Sequence, residues 1–190
     1  ATSSRKKIIT DYEVQKALEA KTKRFSKYND ALNKMIKQGD IIISTSGKKV
    51  GQINGLTIAV SGDCSFGQPV RITANTFIGK SGVLNIEREV SMSGKSHSKG
   101  VFILSAYIGE KYAQDIPLSL TASICFEQLY NPIDGDSASS TELYAILSSL
   151  ADIPINQSLA VTGSVNQKGE IQPIGGVTDK IEGFFKVCKE

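Results

Sequence analysis

Over the first forty positions, apolar residues recur at alternating four- and three-residue intervals. Val14, Leu18, Phe25, Tyr28, Leu32 and Met35 form the series, and only Lys21 interrupts it. This spacing predicts one long helix over 10–39 with a single apolar seam that needs a partner surface. Thr10 and Glu13 suit a capping box at its start, and Gly39 suits its end. Because the helix is so long and so charged, residues 1–40 read as a connecting arm and 41–190 as the body. Past Gly39 the apolar positions shift to short β-rich runs at 41–45, 51–60, 70–77 and 83–89, parted by glycine-bearing turns, and a small antiparallel sheet is expected. Residues 100–113 are helical in composition, 118–126 read as a buried strand, and 138–150 as a buried helix. A hairpin over 158–165 and 170–174 turns at Asn166, Gln167, Lys168 and Gly169, and a last helix starts near Val177. The sum is an α+β domain with no internal repeat.

Composition narrows the function classes. With 40% apolar residues the chain can bury a core, and its formal charge of +3, concentrated in the opening lysines, argues against a nucleic-acid partner. No run of about eighteen apolar residues is present, and residues 1–7 lack a signal-peptide core, so neither a membrane segment nor export is expected. Cys64, Cys125 and Cys188 form no Cys-x-x-Cys pair, which favours a reducing, cytoplasmic setting. No histidine or cysteine grouping has structural-zinc spacing.

Candidate chemistry lies between Pro132 and Ser139, where a strand ends, Gly135 allows a tight turn and a helix begins. A serine at that point, Ser137, has unpaired backbone N–H groups at the helix start, here those of Ser137 and Ala138, as candidate oxyanion donors. Asp136 and Ser137 before a helix are equally what ordinary capping requires, so this segment alone leaves both readings open. A nucleophilic serine needs a base. The single histidine, His97, sits among glycine and serine, and a lysine is the accepted alternative. The second segment, Gly169 to Lys180, carries a Gly-Glu-Ile-Gln-Pro-Ile-Gly-Gly-Val run that ends in such a lysine.

Together these segments resemble the proteolytic domain of the Lon protease family. The match runs in order through Asp134 to Leu150, Ala160-Val161-Thr162-Gly163 and Gly169 to Lys180, with Ser137 and Lys180 forty-three positions apart. Asp136, where the common bacterial enzymes have proline, points to the archaeal-type branch. The resemblance extends from about residue 50 to the C-terminus and implies the Lon proteolytic-domain fold preceded by the helical arm. It implies an ATP-dependent serine endopeptidase in which Ser137 attacks the scissile carbonyl, Lys180 is general base and then acid, and Thr162 orients the amine. Lys180 must then be neutral, and lowering a lysine from about 10.4 to roughly 7–8 is an effect of about 4 kcal/mol, for which desolvation is the natural source. Asp134 would oppose this if it lay beside Lys180, so such a contact is expected to mark a resting form that the 131–136 loop must leave.

The resemblance further implies unfolded or damaged proteins as substrates, a homo-hexamer, a role in protein quality control, and no cofactor in this domain. ATP and magnesium belong to an AAA+ ATPase module on the same full-length chain. No phosphate-cradling Gly-x-x-x-x-Gly-Lys-Ser/Thr motif occurs here, and the domain is expected to be cut short beyond the lysine-bearing helix. The rival readings are a non-catalytic Lon-like assembly module, a phosphate-binding fold disfavoured by the carboxylates of Asp134 and Asp136, and a cysteine peptidase disfavoured by the apolar strand around Cys125.

Overall fold

The computed structural model describes residues 9–62, 64–115 and 119–189, with side chains except those of Thr22, Arg24, Phe25, Tyr28 and Ser61. The readings of residues 1–7 and of a strand start at Leu118, and the Phe25 and Tyr28 part of the helical seam, lie outside that description.

Helix α1 (Asp11–Gln38) forms as its pattern predicts. The Glu13 carboxylate accepts the Thr10 N–H at 3.1 Å, and Gly39 closes the helix in the left-handed conformation at φ 80°. Among its described side chains the helix is mostly exposed, with Asn29 buried.

A five-stranded mixed sheet forms the centre, in the order β4 (Gly82–Asn85), β5 (Leu120–Glu127), β3 (Cys64–Ile78), β2 (Gln52–Ser61), β7 (Ala160–Val161). The β2/β3 pair is antiparallel, as expected for residues 41–89, and so is β3/β5, whereas β4/β5 and β2/β7 are parallel, so the strands that join from the later half make the whole sheet mixed. Alternating residues Val70, Ile72 and Ala74 of β3 and Ala122, Ile124 and Phe126 of β5 are buried in one core. Val101, Leu104 and Ile108 of α3 (Lys95–Tyr112) and Leu143, Ala145 and Ile146 of α4 (Ser139–Ala151) close it. Burying each Val, Leu, Ile or Phe among them contributes about 1.5–3 kcal/mol, which fixes α4 and therefore the segment that leads into it.

Several local readings are corrected. Residues 41–45 form no strand; the Ile42 N–H is taken by the Gln128 side chain instead. A two-residue strand β1 (Lys48–Lys49) pairs with β6 (Ile155–Asn156). The run at 83–89 divides, because the Asn85 side chain accepts the Arg88 N–H and starts the short helix α2 (Ile86–Glu89). Helix α3 starts at Lys95 and not near Gly100, because a carboxylate from a distant loop caps it, as described below. The stretch 158–165 is two strands, β7 in the large sheet and β8 (Ser164–Val165), which pairs with β9 (Ile171–Gln172).

Helix α5 (Val177–Lys189) crosses β3 at backbone contact. A Cβ on Gly67 would lie 2.0 Å from the Asp179 carbonyl oxygen, and one on Gly183 2.0 Å from that of Gly67. Glycine at both positions is therefore a steric requirement, and it sets the depth at which Lys180 enters the structure. Gly67→Ala and Gly183→Ala should each lower stability by about 1–3 kcal/mol. Gly109→Ala, inside α3 with nothing within 4 Å of the new methyl, should raise it by roughly 0.5–1 kcal/mol. Urea denaturation of the three variants checks both signs.

Candidate active site

Ser137 sits in the turn ahead of α4, reached through Gly135, whose φ of 87° is the left-handed conformation that glycine adopts freely. The turn is laced to residues 161–165. The Gly163 N–H donates to the Ser137 carbonyl at 2.7 Å, and the Ser140 N–H to the Gly163 carbonyl at 3.1 Å. The Thr141 hydroxyl donates to the Val161 carbonyl at 2.8 Å, and the Val165 N–H to Ser139 Oγ at 2.9 Å. Of the clustered hydroxyls here, Ser139 and Thr141 are thus consumed by backbone partners. Ser137 Oγ is left to a side chain.

That side chain is Lys180, from the first turn of α5. Its Nζ donates to Ser137 Oγ at 2.9 Å and to Thr162 Oγ1 at 3.0 Å, while the Thr162 hydroxyl donates to the Ser137 carbonyl at 3.1 Å. The Thr162 proton is committed to that carbonyl, so its lone pair faces the amine and holds it in place. Lys180 is only 3% exposed, and among the described residues no carboxylate pairs with it. Burial pushes its pKa below the ordinary 10.5.

Asp134, expected against Lys180 in a resting arrangement, is elsewhere. Its Oδ1 accepts the N–H groups of Ser96 at 3.0 Å and His97 at 3.2 Å, capping α3. The Gly135 N–H, then that of His97, holds its carboxyl below the usual range, so the charge is satisfied by backbone donors and not by the lysine. Asp136 also turns away, accepting the Ser164 hydroxyl at 2.8 Å. Both carboxylates shape the loop, and neither touches the amine. Ala138 is buried directly ahead of α4. The Ser139 and Ser140 N–H groups are already taken by the carbonyls of Asp136 and Gly163.

A cleft of about 610 Å³ opens beside Ser137 and Lys180. Its far wall is the loop 129–135, and its near wall is Leu56 to Val60 of β2. Five consecutive residues of a strand can all line one cavity only if the cavity runs along the strand's edge, because alternate side chains face opposite ways. β7 covers β2 only at Asn54 and Gly55, so among the described residues that edge has no strand beside it from Leu56 onward.

The family model for the Lon protease (S16) C-terminal proteolytic domain matches residues 43–186. The chain belongs to that family. A putative Lon protease homolog of Escherichia coli is 43% identical over 157 residues, covering 82% of this chain and 27% of the relative. The archaeal Lon protease of Archaeoglobus fulgidus is 34% identical over 145 residues, covering 75% and 22%. That of Methanocaldococcus jannaschii is 33% identical over 204 residues, covering 97% and 30%. This Lon-type domain thus spans about a quarter of the length of such relatives.

Two other candidates are settled by the geometry. His97 is buried, with Nδ1 2.9 Å from Ser93 Oγ and Nε2 3.0 Å from Glu142 Oε1. That is a serine–histidine–carboxylate chain in outline. However, the Ser96 and His97 N–H groups serve Asp134 and that of Gly94 serves the Ile133 carbonyl, and the imidazole is fully buried between its two partners, which suits a structural link better than a reacting group. The network ties α3 to α4. Glu142 gave no signal in the sequence, since its partner lies on another helix. The Cys125 thiol is half-buried and pushed up to about 11, chiefly by burial and then by Glu87 and Glu127, which makes it a poor nucleophile. Among the described residues no group of three or more potential metal ligands occurs, and no helix is long and apolar enough to cross a membrane.

The depressed pKa of Lys180 has a thermodynamic consequence. Between that pKa and 10.5 the unfolded chain binds more protons than the folded one, so raising pH through this window stabilises the fold. Lys180→Met removes the effect. Urea denaturation from pH 7 upward should show wild-type stability gaining on Lys180→Met as pH rises, and a parallel pair of curves would contradict a buried, depressed amine.

Proposed function

We propose that this Lon-type domain is a serine endopeptidase with a Ser137–Lys180 dyad, acting on unfolded or damaged polypeptides. The observation that carries the reading is the buried Lys180 amine 2.9 Å from Ser137 Oγ, with burial to favour its neutral form. A neutral amine has a lone pair free to take the Ser137 proton as Oγ attacks the scissile carbonyl. The Thr162 hydroxyl, oriented by the Ser137 carbonyl, keeps that lone pair aimed at Oγ. The N–H groups of Ser137 and Ala138 are the proposed oxyanion donors, since those of Ser139 and Ser140 are engaged. Lys180 then passes its proton to the leaving amine. In the second half it takes a proton from the water that attacks the acyl ester and returns it to Ser137.

An extended peptide suits the cleft. The open edge of β2 from Leu56 to Val60 offers backbone hydrogen bonds without demanding particular side chains, as a substrate strand added to a sheet would use. A folded protein keeps most of its backbone N–H and C=O groups paired internally, which favours unfolded chains. Family membership alone supports the remaining parts: an AAA+ ATPase module on the full-length chain using ATP and magnesium, a homo-hexamer, a cytoplasmic location and a quality-control role. No cofactor is assigned to this domain.

In the full-length protein, Ser137→Ala and Lys180→Met should each lower degradation of an unfolded casein-type substrate by more than about 10³-fold, as loss of a nucleophile or its base does. Thr162→Val, which keeps the amine but not its orientation, should lose roughly 10- to 100-fold. A serine-directed fluorophosphonate should label wild type and not Ser137→Ala. An unlabelled wild type would favour a non-catalytic assembly role.

A further inference from the structure

One polar group in the cleft wall has no task in the chemistry above. Gln68 of β3 stands opposite Thr57 of β2 in an unbroken antiparallel register and shares its face of the strand with Val70 and Ile72. Those two are core residues, so Gln68 is where this face of the sheet leaves the core and becomes the cleft floor. Its backbone carbonyl is occupied, accepting the Thr57 hydroxyl at 3.4 Å. Its side-chain Nε2 is sealed from solvent, yet has no hydrogen-bond partner among the described residues. A side-chain amide carries two N–H donors, and leaving them both dry and unpaired is unfavourable unless a ligand completes them. Other atoms of Gln68 line the cleft that holds Ser137 and Lys180, so a turn of the side chain about its own torsions brings the amide to a molecule that also reaches the reacting group.

We propose that Gln68 is a substrate-binding residue, whose amide donates a hydrogen bond to an uncharged carbonyl oxygen of the peptide seated along the Leu56–Val60 edge. The inference rests on the peptidase reading and adds to it a group that touches substrate without touching the dyad. The acceptor is uncharged because Asp134 lines the same cleft and stays ionised, which disfavours a carboxylate or phosphate there. Leu56, Leu129 and Ile133 give the cleft an apolar lining, Asn131 lies on the loop wall, and the Thr57 hydroxyl is already committed to the Gln68 carbonyl, so on the strand floor Gln68 carries the unpaired donor. A site built to donate one buried hydrogen bond discriminates against ligands that lack the acceptor, because the donor is then left unpaired. The carbonyl can belong to the peptide backbone or to a side-chain amide, and the two sources are separable.

The test compares two labelling rates of Ser137 in the full-length protein, one with a peptidyl boronate that fills the cleft and one with a small fluorophosphonate that does not. Gln68→Leu and the near-isosteric Gln68→Glu should both lower the ratio of peptidyl to small-probe rates by about tenfold, or about 1.4 kcal/mol. A loss in the peptidyl rate should come with weaker half-saturation, not a slower limiting rate. Replacing one backbone carbonyl of the probe at a time by methylene, or a probe glutamine by leucine, should reproduce the loss in wild type and add nothing in Gln68→Leu, which identifies the oxygen. An unchanged ratio in both variants overturns the proposal, as do proportional losses with both probes, which mean a structural role only. A wild type labelled by neither probe overturns the peptidase reading itself, and the inference with it.

Discussion

A lysine amine is strongly hydrated in water, and a fold that hides one must either supply a counter-charge or favour the uncharged form. Around Lys180 the second course is taken. Its immediate partners are two hydroxyls, Ser137 and Thr162, and the nearby acids are directed to other donors. Asp134 spends its charge on the start of α3 and Asp136 on Ser164. The placement of these acids matters as much as that of the lysine, since either one swung against Nζ would stabilise the ammonium and oppose the base role proposed for the amine.

Reaching that position takes two kinds of contact. Helix α5 has to lie against β3 at backbone distance, which only the Gly67 and Gly183 pair permits. The turn bearing Ser137 is held both by the apolar packing of α4 and by hydrogen bonds from 137–141 to 161–165. Hydrogen bonds are directional and apolar contacts are not, so lacing sets angles that a hydrophobic seam would leave loose. The His97–Glu142 contact, deep between α3 and α4, steadies the same helix from its far side. The geometry of the candidate site and the stability of the fold are therefore served by the same residues over much of 134–142.

Legibility in the sequence followed the range of the interaction. The helix at 11–38, the buried pattern of β5 and the helix after Ser137 depend on periodicity and nearby caps, and they were readable with small errors in their ends. The strand expected at 41–45 failed because Ile42 found its partner at Gln128, far along the chain. Helix α3 was read one turn and more too short for the same kind of reason: its cap, Asp134, arrives from another loop. Within the candidate site, Ser137, Lys180 and Thr162 were picked out by a family resemblance, not by local physics. Taken singly they look like a cap, a helix lysine and a strand threonine. Gln68 and Glu142 went unnoticed, since a buried polar group without a local partner has no periodic signature.

From residue order alone came the α+β class, the family, and the pairing in principle of a hydroxyl with an amine forty-three positions away. Those follow from patterns and spacings that the linear chain carries intact. What only the tertiary structure decided was the state of that pair: that the amine is buried, that Asp134 faces α3, that β2 leaves an edge open beside Ser137, and that Gln68 ends unpaired in the cleft. Solvation and hydrogen-bond competition set each of these, and both depend on which distant groups arrive at a given place, a quantity that does not exist until the chain has folded.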